Sequence, residues 1–288
     1  MILAIGELLV DLITTEEVTN LSETKLLKLK AGGSCGNFAS FCKKQGTAVK
    51  LIATIGEDGF GKIILNSLVK DGVNTDNILQ HKYLETSIIV VGKTHATPDF
   101  IPYRQADFNI AAIPEYLINE SEIIHTTAFA LSRQPAQTNI LDALVYANSV
   151  GKIISVDWNY ALKIWGHNNN AQQIFEKIIA MKPLLKVSMD DVDRFWGADN
   201  NIEHAKKILE KFDTNFTCLT CGENGVWYRI KNKSWQYKPV LPTNVIDVTG
   251  AGDAFWSGFV SSYIKKKNFD ICIDNALYFA KQRLEQKI

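Results

Sequence analysis

The chain has 288 residues, 46% of them hydrophobic and 22% charged, a balance that can bury one large core. Its 31 Lys and Arg against 31 Asp and Glu leave no net charge, which argues against a nucleic-acid partner and leaves small neutral or anionic ligands open. Residues 1–7 carry no basic leader, no apolar run approaches the roughly 20 residues that span a bilayer, and five cysteines make no disulfide framework, so the chain reads as cytoplasmic with no membrane partner.

In chain order, short β-branched runs alternate with helical stretches. Strands are predicted at 2–6, 50–55, 122–126, 152–157, 184–188 and 216–220. Helices are predicted at 37–45, 61–70, 134–149, 171–180, 202–211, 252–266 and 269–285. This alternation predicts an α/β fold, a three-layer α/β/α sandwich around a mostly parallel central sheet. The strands tend to end in Gly, Asp or Asn, where open sheets of this kind place ligands. Two segments, 8–30 and 86–105, break the alternation and read as pairs of strands with no helix between them. With no repeat, low-complexity tract or long linker, residues 1–288 are expected to form a single domain.

Near the C-terminus, Asp247-Val248-Thr249-Gly250-Ala251-Gly252-Asp253 stands at the mouth of an apolar helix. Three small residues leave backbone N–H groups uncovered, and a helix N-terminus adds partial positive charge, so Gly250, Ala251 and Gly252 can form an anion hole. Asp253, in the first turn, can take a proton from an attacking hydroxyl. Taken alone, the tetrapeptide is better read as a Gly-rich turn with an acidic N-cap, and Phe255 stands where a dinucleotide fingerprint needs its third glycine.

Gly56-Glu57-Asp58-Gly59-Phe60-Gly61-Lys62-Ile63 has the spacing of a P-loop, but Ile63 replaces the hydroxyl that would hold magnesium. Cys218 and Cys221 form a lone C-x-x-C in what reads as a buried strand, and the five histidines show no ligand spacing.

Two motifs in order carry a resemblance. Ala31-Gly32-Gly33-Ser34-Cys35-Gly36-Asn37-Phe38-Ala39, followed by Gly46 and Gly56, is similar to the first signature of the ribokinase-like (PfkB) carbohydrate kinases, with Cys35 where Gly, Ala or Pro is usual. The stretch 247–253 resembles their second signature. The resemblance runs from Gly6-Glu7 to the final helix, and the pattern is nearest to fructokinases. It implies an ATP-dependent, magnesium-requiring sugar kinase that phosphorylates a primary hydroxyl, with fructose as the leading substrate. 2-Keto-3-deoxygluconate, ribose and a nucleoside are the alternatives, and a sugar- or nucleotide-binding protein that kept the fold without efficient catalysis is an alternative of another class. It also implies that segments 8–30 and 86–105 form a β-sheet lid over the sugar, and it leaves open a homodimer through that lid.

Site residues follow by position. Asp253 matches the family's base, and Gly250, Ala251 and Gly252 its anion hole. Asp11, Gly32, Gly33 and Asn37 match positions that hold the sugar. Tyr103-Arg104-Gln105-Ala106-Asp107 resembles a fructokinase element whose arginine, here Arg104, enters the sugar site from the lid. Asp157-Trp158-Asn159-Tyr160 is similar to the fructokinase D-P-N-x-R segment, which assigns Asn159 to the sugar but puts Ala161 at the arginine position. Ser188 and Asp191 align with the N-x-x-E that organises magnesium-bound water, so Asp191 is an indirect metal contact. Thr220, Gly222 and Gly225 match a nucleotide-side turn, and Thr249 and Gly250 also fall on the cofactor side. Asp247 matches a monovalent-cation (K+) position. The chain ends before the Gly-Ala segment that usually completes the adenine pocket and this cation site, so both are expected to be incomplete.

Overall fold

A computed structural model describes residues 1–93, 99–167 and 169–288. Its first strand, β1 (Ile2–Ile5), shows how the main sheet is made. Successive side chains point to opposite faces, and all four are fully buried, Ile2 and Ala4 in one apolar core and Leu3 and Ile5 in another. A strand apolar on both faces needs helices above and below it.

The chain continues through β2 (Leu9–Glu17), β3 (Leu27–Gly32), α1 (Ser34–Lys44), β4 (Val49–Gly56), α2 (Gly59–Lys70) and β5 (Ile78–His81). Then come β6 (Ile88–Lys93), β7 (Asp99–Tyr103), α3 (Glu115–Asn119), β8 (Ile123–Thr127), α4 (Ala136–Ser149) and β9 (Ile153–Asp157). The second half holds α5 (Leu162–Trp165), α6 (Ala171–Ile179), β10 (Leu184–Ser188), α7 (Met189–Trp196), α8 (Ile202–Leu209) and β11 (Phe216–Thr220). It closes with β12 (Val226–Ile230), β13 (Gln236–Lys238), α9 (Ala251–Ile264) and α10 (Phe269–Leu284).

Nine strands form the main sheet in the order β13-β12-β11-β10-β9-β8-β1-β4-β5, parallel from β5 to β11 and antiparallel at β12 and β13. Residues of α1, α2, α9 and α10 fill the core on one face, and those of α3, α4, α6, α7 and α8 fill the other. This is the expected α/β sandwich. The two antiparallel strands were not expected; they return from β11 through the tight turn at Gly222–Asn224, with Val226, Tyr228 and Arg229 buried in β12 and no residue buried in β13.

Segments 8–30 and 86–105 do form strand pairs, joined in a second, four-stranded sheet of order β3-β2-β6-β7. Register places Asp11 opposite Lys30 and Ile89, and Val91 opposite Phe100. By strand alternation Asp11, Ile89, Val91 and Phe100 share one face, the face turned toward the C-terminal edge of the main sheet. Helices α9 and α10 pack so closely that a Cβ on Gly258 would lie 2.9 Å from the Ala276 Cα, so only glycine fits there.

Candidate active site

The site is built where β1 ends and α1 and α9 begin. Gly33 precedes α1 with φ +98°, and a Cβ on it would lie 2.4 Å from the Glu7 carbonyl oxygen. A glycine offers no capping side chain, so the cap comes from elsewhere in the chain. The buried Glu7 accepts the Ser34 N–H at 2.7 Å through Oε1 and the Thr127 hydroxyl at 2.8 Å through Oε2. Gly250 takes the left-handed conformation (φ +78°) before α9, which leaves Asp253 in the first helical turn. A hydrogen bond ties the two helix starts together: Asn37 Nδ2 donates to Asp253 Oδ2 at 2.8 Å.

A cavity of about 290 Å³ opens on this contact. Its polar floor is Glu7, Asp11, Ser34, Asn37 and Asp253, and its apolar walls include Leu9, Ile89, Val91, Phe100 and Ile164. Burial is the largest influence on all three carboxyls, pushing Glu7 up to about 7 and Asp11 and Asp253 up to about 6. A Cβ on Gly32 would meet Asp11 Oδ2 at 2.4 Å, so Gly32 leaves room for the carboxylate.

On the other side of the α9 start lies a second cavity, of about 730 Å³. Ala251 and Gly252 line it, together with the turn from Thr220 to Gly225 and the apolar side chains of Val226, Val240, Leu277 and Leu284. Residues of α10 and the Val240 and Val248 stretches form part of its wall. Lys186 enters here as well. Its Nζ lies 3.1 Å from the position a Cβ on Gly252 would take, and it donates to both oxygens of Asp157 at 3.0 and 2.9 Å. Burial opposes the charge on Lys186, but the carboxylates of Asp157 and Asp191 outweigh it and keep the ammonium protonated. A fixed cation thus sits beside the first turn of α9. Sequence reasoning passed over Lys186, Glu7 and Ser34, although a lysine inside an otherwise apolar central strand is itself a signal, since buried charges are rare unless used.

Several expected residues lie elsewhere. Arg104 does not enter the cavity: its Nε and Nη2 bind Asp107 Oδ2 at 2.9 and 2.6 Å, its Nη1 binds Ser132 at 2.6 Å, and its guanidinium stacks 4.2 Å from the Phe129 ring centre. A buried guanidinium paired this fully is committed to the scaffold. Asn159 donates to the Ser34 hydroxyl at 3.0 Å and accepts the Phe129 N–H at 3.1 Å, so it holds site residues without lining the cavity. Ser188 and Asp191 bond each other in a capping box at the start of α7: Asp191 accepts the Ser188 N–H at 3.0 Å, and its own N–H reaches Ser188 Oγ at 3.1 Å. Ser188 nevertheless lines the large cavity, on the cofactor side where it was expected, beside the carboxylates of Asp190 and Glu223, whereas Asp191 is buried and does not line it. Thr249 and Gly250 open onto the small cavity rather than the large one.

The P-loop-like turn is filled by its own side chain. Asp58 accepts the N–H groups of Gly61 and Thr86 at 2.8 and 2.7 Å, which places a carboxylate at the start of α2 where a P-loop would hold phosphate. His125 is a core residue, stacked on Phe38 and lowered by burial to about 3, and Cys218 is buried in β11.

Comparison with known proteins shows the family and the fold. The pfkB family carbohydrate kinase profile matches residues 1–287. An ATP-dependent 6-phosphofructokinase of Thermoanaerobacterium thermosaccharolyticum is 32% identical over 266 residues, which cover 92% of this chain and 81% of that protein. Halothermothrix orenii fructokinase superposes with a TM-score of 0.86 at 32% identity, covering 97% of both chains. A Pyrococcus horikoshii sugar kinase in complex with ATP superposes with a TM-score of 0.87 at 27% identity, covering 99% of this chain and 92% of that one.

Proposed function

The chain belongs to the pfkB family of carbohydrate kinases, and from that premise we propose that it transfers the γ-phosphate of ATP to a primary hydroxyl of an unphosphorylated sugar, fructose first. The observation that carries this reading is the first turn of α9, which separates two cavities. Asp253 faces one side, and the exposed backbone of Ala251 and Gly252, with Lys186, faces the other.

Sugar hydroxyls are held by acceptors such as Asp11 and the Gly33 backbone, with Asn37 fixing the Asp253 carboxylate in line. With its proton affinity near 6, Asp253 is ionised at neutral pH and still basic enough to take the hydroxyl proton. The helix N–H groups and the Lys186 ammonium stabilise charge on the transferring phosphoryl. Magnesium carried on the nucleotide supplies further charge neutralisation, and the carboxylates of Asp190 and Glu223 are the hard oxygen donors facing that cavity. The sheet carrying Asp11 and Phe100 roofs the sugar and keeps water from the phosphoryl group.

The Thermoanaerobacterium relative makes fructose 6-phosphate the competing substrate. Among the described residues, three carboxylates and no lysine or arginine line the small cavity, which favours a neutral sugar. An ADP-release assay with fructose, fructose 6-phosphate, ribose, 2-keto-3-deoxygluconate and a nucleoside tests this. Fructose is expected to give the highest kcat/KM. A higher value with fructose 6-phosphate overturns the substrate, and ligand-induced stabilisation without ADP release on any sugar supports a binding protein instead.

A further inference from the structure

Asp247 closes the loop that leads into α9, and both of its carboxylate oxygens are taken. Oδ2 accepts Arg283 Nη2 at 2.6 Å and has Lys30 Nζ at 3.5 Å, while Oδ1 accepts the Thr249 N–H at 2.8 Å. Arg283 is buried in the last turn of α10, and its Nε lies 3.6 Å from the position a Cβ on Gly250 would take. The same helix end holds the loop by its backbone, since the Leu284 carbonyl accepts the N–H groups of Ile246 and Asp247 at 2.9 and 3.3 Å.

The family resemblance puts a monovalent cation at Asp247, and these residues do not fit one. Such an ion is held by uncompensated negative charge, whereas the Arg283 guanidinium and the Lys30 ammonium already neutralise this carboxylate and would repel a further cation. We propose that Arg283 takes the place of that ion: a side chain of α10 supplies a permanent positive charge beneath the anion-hole loop, and the protein needs no monovalent activator there. Arg283 is then a positioning residue. It acts through Asp247 and Thr249 on the conformation of Gly250, and so on the N–H groups that follow.

The test compares wild-type protein in potassium, sodium and choline chloride at equal ionic strength, reading both kcat for ADP release and the thermal unfolding midpoint. Neither is expected to depend on the cation. A potassium-specific rise in either overturns the proposal. Arg283→Met should lower kcat about tenfold or more while the sugar KM stays within about twofold, because it disturbs alignment rather than sugar contacts. Guanidinium or potassium ions should restore part of the loss, and Arg283→Lys should retain most of the activity. A methionine variant with wild-type kcat, or one whose loss neither ion restores, overturns the assignment. If that variant does not fold, the wild-type comparison decides by itself. Only the rate measurement rests on the kinase reading: a protein that turns over no sugar refutes that reading, while its unfolding midpoint still tests the cation.

Discussion

In the proposed reaction, Asp253 is the residue on which the chemistry turns. Asp253→Asn keeps the size and the contact with Asn37 but removes the base, so kcat should fall roughly 10²–10⁴-fold with little change in sugar affinity. A variant of near wild-type kcat in the ADP-release assay would refute the assignment. The pH dependence carries the same signature. With Asp253 raised to about 6, kcat/KM should be level above pH 7 and drop about tenfold per pH unit below 6. Arg104 reverses its expected role. Its side chain and that of Asp107 are 1% and 0% exposed, so Arg104→Ala strands a buried carboxylate and should cost about 3–5 kcal/mol of stability. A denaturant titration reads this directly; unchanged stability with a selective loss on fructose would return Arg104 to the sugar site.

At the scale of elements, α7 and the second sheet divide structural from functional roles. Ser188→Ala removes one side of the capping box and should destabilise by about 1 kcal/mol, seen as a lower urea midpoint. A role on the metal would appear instead as a higher magnesium requirement at unchanged stability. The second sheet contributes Asp11 from β2, Ile89 and Val91 from β6 and Phe100 from β7 to one cavity. Sugar should therefore slow hydrogen exchange in β2 and β6 together. Protection confined to Gly56–Lys62 with nucleotide alone would contradict both the roof and the filled turn at Asp58.

Across the whole molecule, stability and activity should respond to pH in opposite directions. Glu7, Asp11, Asp191 and Asp253 are all raised by burial, so in the native state they hold protons that the unfolded chain releases. Their contribution is complete below the ordinary carboxylate range and is lost as pH rises through about 6 to 7. Asp247 and Asp58 have lowered values despite partial burial, held down by Arg283 and Thr249 in one case and by Thr86 and Gly61 in the other. Their contribution is lost only as pH falls below that range. The denaturant midpoint should be highest near pH 5 and decline toward pH 8, while kcat/KM rises over the same interval. A midpoint that climbs with pH from 5 to 8 would show that these carboxyls are not desolvated as described.

By itself the sequence determined the alternation of strands and helices, the two helix-free segments that become the second sheet, and the glycine turns of both motifs. These are local matters: hydrophobic period, β-branching and the need for φ above zero can be read within a few residues. Gly33 and Gly250 were legible for that reason, and Asp253 because it follows its turn directly. Only the tertiary structure decided which polar groups face a cavity and which are spent on the scaffold. Arg104 and Asn159 have the right chemistry for a sugar but find partners in Asp107, Ser132, Ser34 and Phe129. Lys186 and Arg283 gain their roles only because β10 and α10 bring them to the start of α9, far from either in sequence. A buried polar group must be paired wherever the fold leaves it, and which partner it meets depends on contacts that no local pattern encodes.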